Sequence, residues 1–217
     1  MTSQIRFSLS SGLKTQLLLM ALCGIICALV FTNYIFGENQ KQTLQRETEL
    51  VARLGRVSEL MVSIKELQID VIQVQQFLTD VSATRGLDGY DDGPKQAEEH
   101  ARGFESKALT AQDEARALGL ADVETAIADV KAKFPAYYDT GKKMAQLYVA
   151  GGPQSGNSLM EPFDATAESI GEALDALAKA GGDAVINANK QASDLKDESA
   201  TFEQIAMTLG LIAVLTS

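Results

Sequence analysis

The 217-residue chain has no tryptophan, one histidine, two cysteines and four prolines, and aromatic residues make up only 6% of it. Each scarcity excludes something. With His100 as the single imidazole, metal binding and histidine-centred acid–base catalysis have little to draw on. Cys23 and Cys27 lie together in one apolar run, so neither a disulfide framework nor a zinc site is available. A glycine-rich phosphate loop, a nucleophile elbow and a zinc-ligand motif are all missing. No enzymatic activity, cofactor or metal is therefore expected. Positive charge is also short, with 19 Lys and Arg against 29 Asp and Glu and a net charge of −10. An acidic chain without a basic stripe is a poor nucleic-acid binder. Hydrophobic residues still reach 46%. With so few aromatics that share is mostly Ala, Leu and Val, the composition of long helices rather than of a β-sandwich.

What is present begins with a membrane segment. Leu17 to Phe36 carries no charge over 20 residues, close to the ~20 needed to cross about 30 Å of hydrocarbon. A cleaved signal peptide would have a shorter apolar core, roughly 7–15 residues, followed by small residues. This run ends instead in Tyr34, Ile35 and Phe36, which favours an uncleaved anchor. Arg6 and Lys14 precede it without any acid, so the positive-inside rule puts residues 1–16 in the cytoplasm. Beyond it lie 17 bases and 29 acids. The end of the chain, Ile205 to Ser217, is uncharged and too short to span. It reads as the opening of a second transmembrane helix, truncated at 217; a short apolar tail is the other reading.

Between these segments the apolar residues recur three and four apart. On α-helical heptads, position a falls at Leu54, Met61, Gln68, Gln75 and Ser82, and position d at Val57, Ile64, Val71, Leu78 and Arg85. Position g adds Leu60, Leu67, Val74 and Val81. A stripe three positions wide suits a bundle core better than a two-stranded coil. After Gly55 nothing interrupts this helix until Gly86, and Gly86 to Pro94 is a strong breaker. A second helix has Ala97, Ala101, Phe104, Ala108, Ala111, Ala115 and Leu118 at core spacing, with a turn at Gly119. A third has Val123, Ile127, Val130, Phe134, Tyr137, Gly141, Met144 and Tyr148, and Pro135 should kink or break it. Ala150 to Ser158 reads as a loop. A last helix, from Phe163 through Ile170, Leu177 and Ala184 to Phe202, runs into the second apolar segment. The expected fold is all-α: an antiparallel four-helix bundle over residues 37–204, between a transmembrane helix at 17–36 and the start of another at 205–217.

Particular stretches carry a resemblance. Val71 to Arg85 (VIQVQQFLTDVSATR), continuing as GLDGYDDG to Gly93, resembles the extracytoplasmic sensor region of bacterial methyl-accepting chemotaxis proteins. So does Phe134 to Met144 (FPAYYDTGKKM), with Tyr148 to Pro153, Gly156 to Met160, and Phe163-Asp164. The resemblance covers residues 10 to 217. It implies a membrane chemoreceptor sensor in the bacterial inner membrane, with its bundle in the periplasm as a homodimer. Such a sensor binds a small ligand and relays a helix shift across the membrane. Receptor bundles of this kind also serve histidine kinases and diguanylate cyclases, and a ligand-free structural helical protein is a third reading. The family's linker domain and methylated cytoplasmic hairpin do not follow residue 217 here. Cytoplasmic signalling partners would be reached only through such parts. The closely spaced arginines of amino-acid-sensing relatives are missing from the first helix.

Candidate binding residues follow from the cost of burying polar groups, about 1–3 kcal/mol each when unpaired. Leu54, Val57, Met61 and Ile64 hold the membrane-near half of the stripe, whereas Gln68, Gln75, Ser82 and Arg85 occupy its outer half. That change suggests a wet or ligand-lined cavity, with Arg85 receiving a small anion. Drift of the helical period could instead turn these side chains to solvent or to a dimer interface, or Arg85 could pair with Asp80 or Asp88. Asp88, Asp91 and Asp92 match no EF-hand spacing and read as a solvated turn. His100 reads as a surface or bundle-edge residue, and Tyr137, Tyr138 and Tyr148 as packing rather than an aromatic cage. Gly181-Gly182 suits close helix approach or a bend.

Overall fold

A computed structural model of the chain describes residues 11–87 and 92–215. Nearly all of them are helical, and no strand occurs among the described residues. The elements are α1 (Ser11–Thr84), α2 (Gly93–Ala117), α3 (Ala121–Gly151), the short α4 (Pro153–Gly156), a 3-10 turn (Asn157–Leu159) and α5 (Met160–Leu215).

The helix ends follow local chemistry. Arg85 and Gly86 both have positive φ, 56° and 71°, which stops α1. Pro94, in the first turn of α2, has no amide hydrogen to leave unpaired. Between α2 and α3 the amide of Leu120 donates to Ala115 O at 2.9 Å and that of Gly119 to Arg116 O at 3.0 Å. This Schellman closure needs the left-handed Gly119, φ 69°. Two expectations are revised. α3 runs through Pro135 without breaking, because the helix is held on its buried side by Phe134 and Tyr137. Ala150 to Ser158 is largely helical rather than a loop: α3 ends at Gly151, Gly152 alone breaks the helix, and α4 and the 3-10 turn follow at once. Gly156 lets this corner close, since a Cβ there would lie 2.4 Å from the Tyr148 ring.

The chain divides into two compact units, one of residues 51–191 and one of residues 1–50 with 192–217. In the first, α1 buries Val57, Leu60, Ile64, Leu67, Val71, Val74, Leu78 and Val81, an unbroken alternation of positions d and g. All seven positions expected of α2 and all eight expected of α3 are buried as well. The buried face of α2 is mostly alanine, and α3 brings the bulk: Phe134 stacks on Phe104 at 3.9 Å, and Tyr137 on Phe163 of α5 at 5.4 Å. The Tyr137 hydroxyl donates to Val71 O of α1 at 2.9 Å. Gly141 and Gly181 permit close approach, because a Cβ on either would meet Leu78 and Phe163, or Met61, below 3 Å. Gly182 faces open space, so only the first of the glycine pair serves a contact. Arg56 pairs with Glu114 at 2.8 Å and Glu66 with Lys107 at 3.6 Å. Rising numbers on α1 thus meet falling numbers on α2.

In the second unit Phe36 of α1 stacks on Phe202 of α5, centroids 6.0 Å apart. Among the described residues one helix is long and apolar enough to cross a membrane, the one containing the segment at 17–36. Its most apolar stretch is buried against nothing in the protein, and Leu18, Met20, Val30 and Phe31 are all exposed.

Candidate ligand site

Gln68, Gln75, Ser82 and Arg85 are not gathered into one site. Positions d and g form the buried stripe of α1, so position a lies at its edge. Gln68 and Ser82 are half-buried, and Gln75 and Arg85 are exposed. The heptad register holds along α1, so Gln68, Gln75 and Ser82 lie beside the core because position a is its edge, and Arg85, a d position, falls just past the end of the helix. None of the four lines the groove between α2 and α3 or the hollow around Gly119 and Ala180. Arg85 makes no ion pair with Asp80, while Asp88 and Asp91 lie outside the described residues. Its guanidinium instead lies over Gly152, where a Cβ would come within 2.9 Å of Nη2.

A groove of about 630 Å³ opens between α2 and α3, within the range of small-molecule sites. Its origin is steric. The Phe104–Phe134 stack holds the two helices apart, and beyond it the facing positions are only Ala101 and Ala145. Leu78 and Val81 of α1 form the apolar floor. Glu98, Arg102 and Glu105 stand along the α2 wall, and Tyr138, Lys142 and Gln146 along the α3 wall. Arg102 Nη1 is 3.4 Å from Glu98 Oε1. Lys142 Nζ is 3.0 Å from Asp139 Oδ1 and lies 4.3 Å over the Tyr138 ring. Burial pushes the Tyr138 phenol up, and the hydrogen bond to Asp139 holds the Lys142 ammonium above its ordinary range. Glu98 acts on both groups through its charge, so the two walls sense each other across the opening. Glu105 has no hydrogen bond or ion pair among the described residues.

A second polar feature lies outside the groove, between α1 and α2. Asp70 is the one buried charged residue of the described chain, 3% exposed. Its carboxylate accepts from Lys107 Nζ at 2.8 Å and sits 2.9 Å from His100 Nδ1. The room comes from Gly103, where a Cβ would be 3.3 Å from Asp70 Oδ2. His100 stacks on Phe77 at 5.7 Å, so it is half-buried and held by two neighbours. The Asp70 hydrogen bond is the main reason the Lys107 ammonium lies above its ordinary range. The sequence carried a signal for this cluster: His100, Gly103 and Lys107 lie on one face of α2 at spacings of three and four. Without knowing that Asp70 faced them, that spacing had no partner.

No family model, curated protein or solved structure matches the chain.

Proposed function

We propose that the chain is the sensor region of a bacterial membrane chemoreceptor. The helices of the core unit form an antiparallel four-helix bundle on the outer side of the inner membrane, and ligand in the bundle shifts α1 against α5. The observation that carries this reading is continuity. α1 runs unbroken from an exposed apolar segment into the buried stripe of the core unit, and α5 runs unbroken out of that unit toward a second apolar end. A shift of ~1–2 Å along either helix is of the size that packed helices transmit. The bundle is supported by the Arg56–Glu114 and Glu66–Lys107 pairs of α1 with α2, by the Tyr137 bond from α3 to α1, and by the Tyr137–Phe163 stack of α3 on α5.

A homodimer is part of the proposal. Val51, Val62, Ile69 and Ile72 of α1 are each more than half exposed and lie away from its buried stripe. Covering them with a second copy gives on the order of a few kcal/mol. Topology tests the sensor reading. On a background with Cys23 and Cys27 replaced, Asp92→Cys and Ser3→Cys variants are treated with an impermeant thiol reagent in intact spheroplasts. Labelling at 92 and protection at 3 support it. The reverse places the core unit in the cytoplasm and removes the proposal.

A further inference from the structure

The geometry points to the groove between α2 and α3 as a site for an organic ammonium ion with a compact apolar body, its charge beside Glu105 and its body on Leu78, Val81 and Ala101. The inference deepens the sensor reading by naming what the bundle takes up, and rests on that reading only for the use of the bound state.

Charge decides the class. Four charged side chains, two of each sign, stand on the walls, and they are not equivalent. Both cations are already matched, Arg102 by Glu98 and Lys142 by Asp139. An anion would have to displace a carboxylate from one of them. Glu105 has no cation to itself, so an incoming ammonium meets a vacant partner. The Arg102–Glu98 pair is exposed on both sides, 66% and 58%, so it is held weakly and Glu98 is open to exchange. The Tyr138 ring already carries the Lys142 ammonium over its face, which shows that this wall accommodates a positive charge against an aromatic ring. The net charge of −10 raises the local concentration of cations and lowers that of anions.

Size and polarity restrict the rest of the ligand. A floor of leucine, valine and alanine offers no hydrogen bond, so the body is apolar. Leu78, Val81, Ala101 and Ala145 give the groove an apolar part to set beside its charged wall residues. The fit is therefore to a ring or a short branched chain carrying one amine, not to a polyamine with charges at both ends.

The test uses the full chain in neutral-lipid nanodiscs, with empty discs as the blank for partitioning. Three isosteric probes are titrated by calorimetry: 2-phenylethylamine, 3-phenylpropionate and 2-phenylethanol. The expected result is saturable binding of the amine alone. Glu105→Gln and Gln146→Lys, both at exposed wall positions, each weaken it about tenfold or more, the effect of removing or opposing one charge at a partly shielded site. Glu99→Gln, on the same helix but outside the groove, leaves it unchanged. Binding of the propionate as tight as that of the amine overturns the inference. So does amine binding indifferent to both wall variants, or the failure of all three probes to bind below ~10 mM. These outcomes are separable from the sensor reading, which stands or falls on which side of the membrane residue 92 lies.

Discussion

Replacing Lys107 by methionine should destabilise the core unit more than replacing both Lys107 and its partner. Asp70 is 3% exposed and its two hydrogen-bonding neighbours are Lys107 and His100. Breaking a buried pair from one side costs about 3–5 kcal/mol, because the remaining charge is stranded. Lys107 is 38% exposed, so water already screens it, and His100 stays beside the carboxylate. The discounted cost of Lys107→Met is about 2–3 kcal/mol. Asp70→Asn removes the buried charge itself. Lys107 then keeps Glu66 at 3.6 Å and its exposure to water, for a cost of about 1–2 kcal/mol. In the double variant no charge is stranded, so its cost is also about 1–2 kcal/mol rather than the sum. The assay is thermal unfolding of the full chain in detergent, followed by far-ultraviolet circular dichroism. For a unit of this size Lys107→Met alone lowers Tm by roughly 6–10 °C, and adding Asp70→Asn restores part of the loss. Additive losses would refute the reasoning, because they would mean that Asp70 is not stranded when Lys107 goes.

Other predictions follow from single contacts. Gly141→Ala puts a Cβ 2.7 Å from Leu78 and 2.8 Å from Phe163, costing about 1–3 kcal/mol by overpacking. Gly182→Ala meets nothing within 4 Å and should stabilise the helix by about 0.5–1 kcal/mol; melting curves of the two variants should move in opposite directions. Tyr137→Phe loses the bond to Val71 O and about 1 kcal/mol. Alkaline pH tests the buried groups: burial raises the Tyr137 phenol above its ordinary value of 10.0, and Asp70 raises Lys107 above 10.5. The folded state then holds protons that the unfolded state releases, so stability is full below about pH 10 and falls as pH rises beyond it. Absorbance at alkaline pH should show the Tyr137 phenolate appearing together with loss of helix, and an ordinary titration of all five tyrosines in the folded chain would contradict this.

Much of the fold was legible because burial along a helix repeats with fixed spacing. Ala97 to Leu118 and Val123 to Tyr148 could be read as two helices with their faces assigned, and both faces are buried as expected. α1 was harder. Its a, d and g positions are all apolar near Leu54, so the spacing alone did not show which two would be central. The buried pair is d and g, and the polar outer a positions fall at the edge. The candidate site inherited that ambiguity, and Gln68, Gln75, Ser82 and Arg85 are scattered along one helix. The groove was not legible, because it depends on the stack of Phe104 on Phe134, two residues 30 apart in sequence whose facing across α2 and α3 no spacing within either helix reveals. The Ala150 to Ser158 segment looked like a loop from its glycines, and Tyr148 packing on Gly156 folds it into helical turns instead. Pro135 lost to tertiary packing in the same way.

The central claim is that occupancy of the core unit moves α1 against α5 where they meet beyond it. Phe36 and Phe202 stack at 6.0 Å in the unit of residues 1–50 and 192–217. A Phe36→Cys/Phe202→Cys variant, with Cys23 and Cys27 replaced, reports that contact through its rate of disulfide formation in nanodiscs. With the groove saturated by 2-phenylethylamine, as calorimetry would establish on the same preparation, the account predicts a changed rate. The Glu105→Gln variant at the same amine concentration should keep the unliganded rate. An identical rate with the groove empty and saturated would contradict the account.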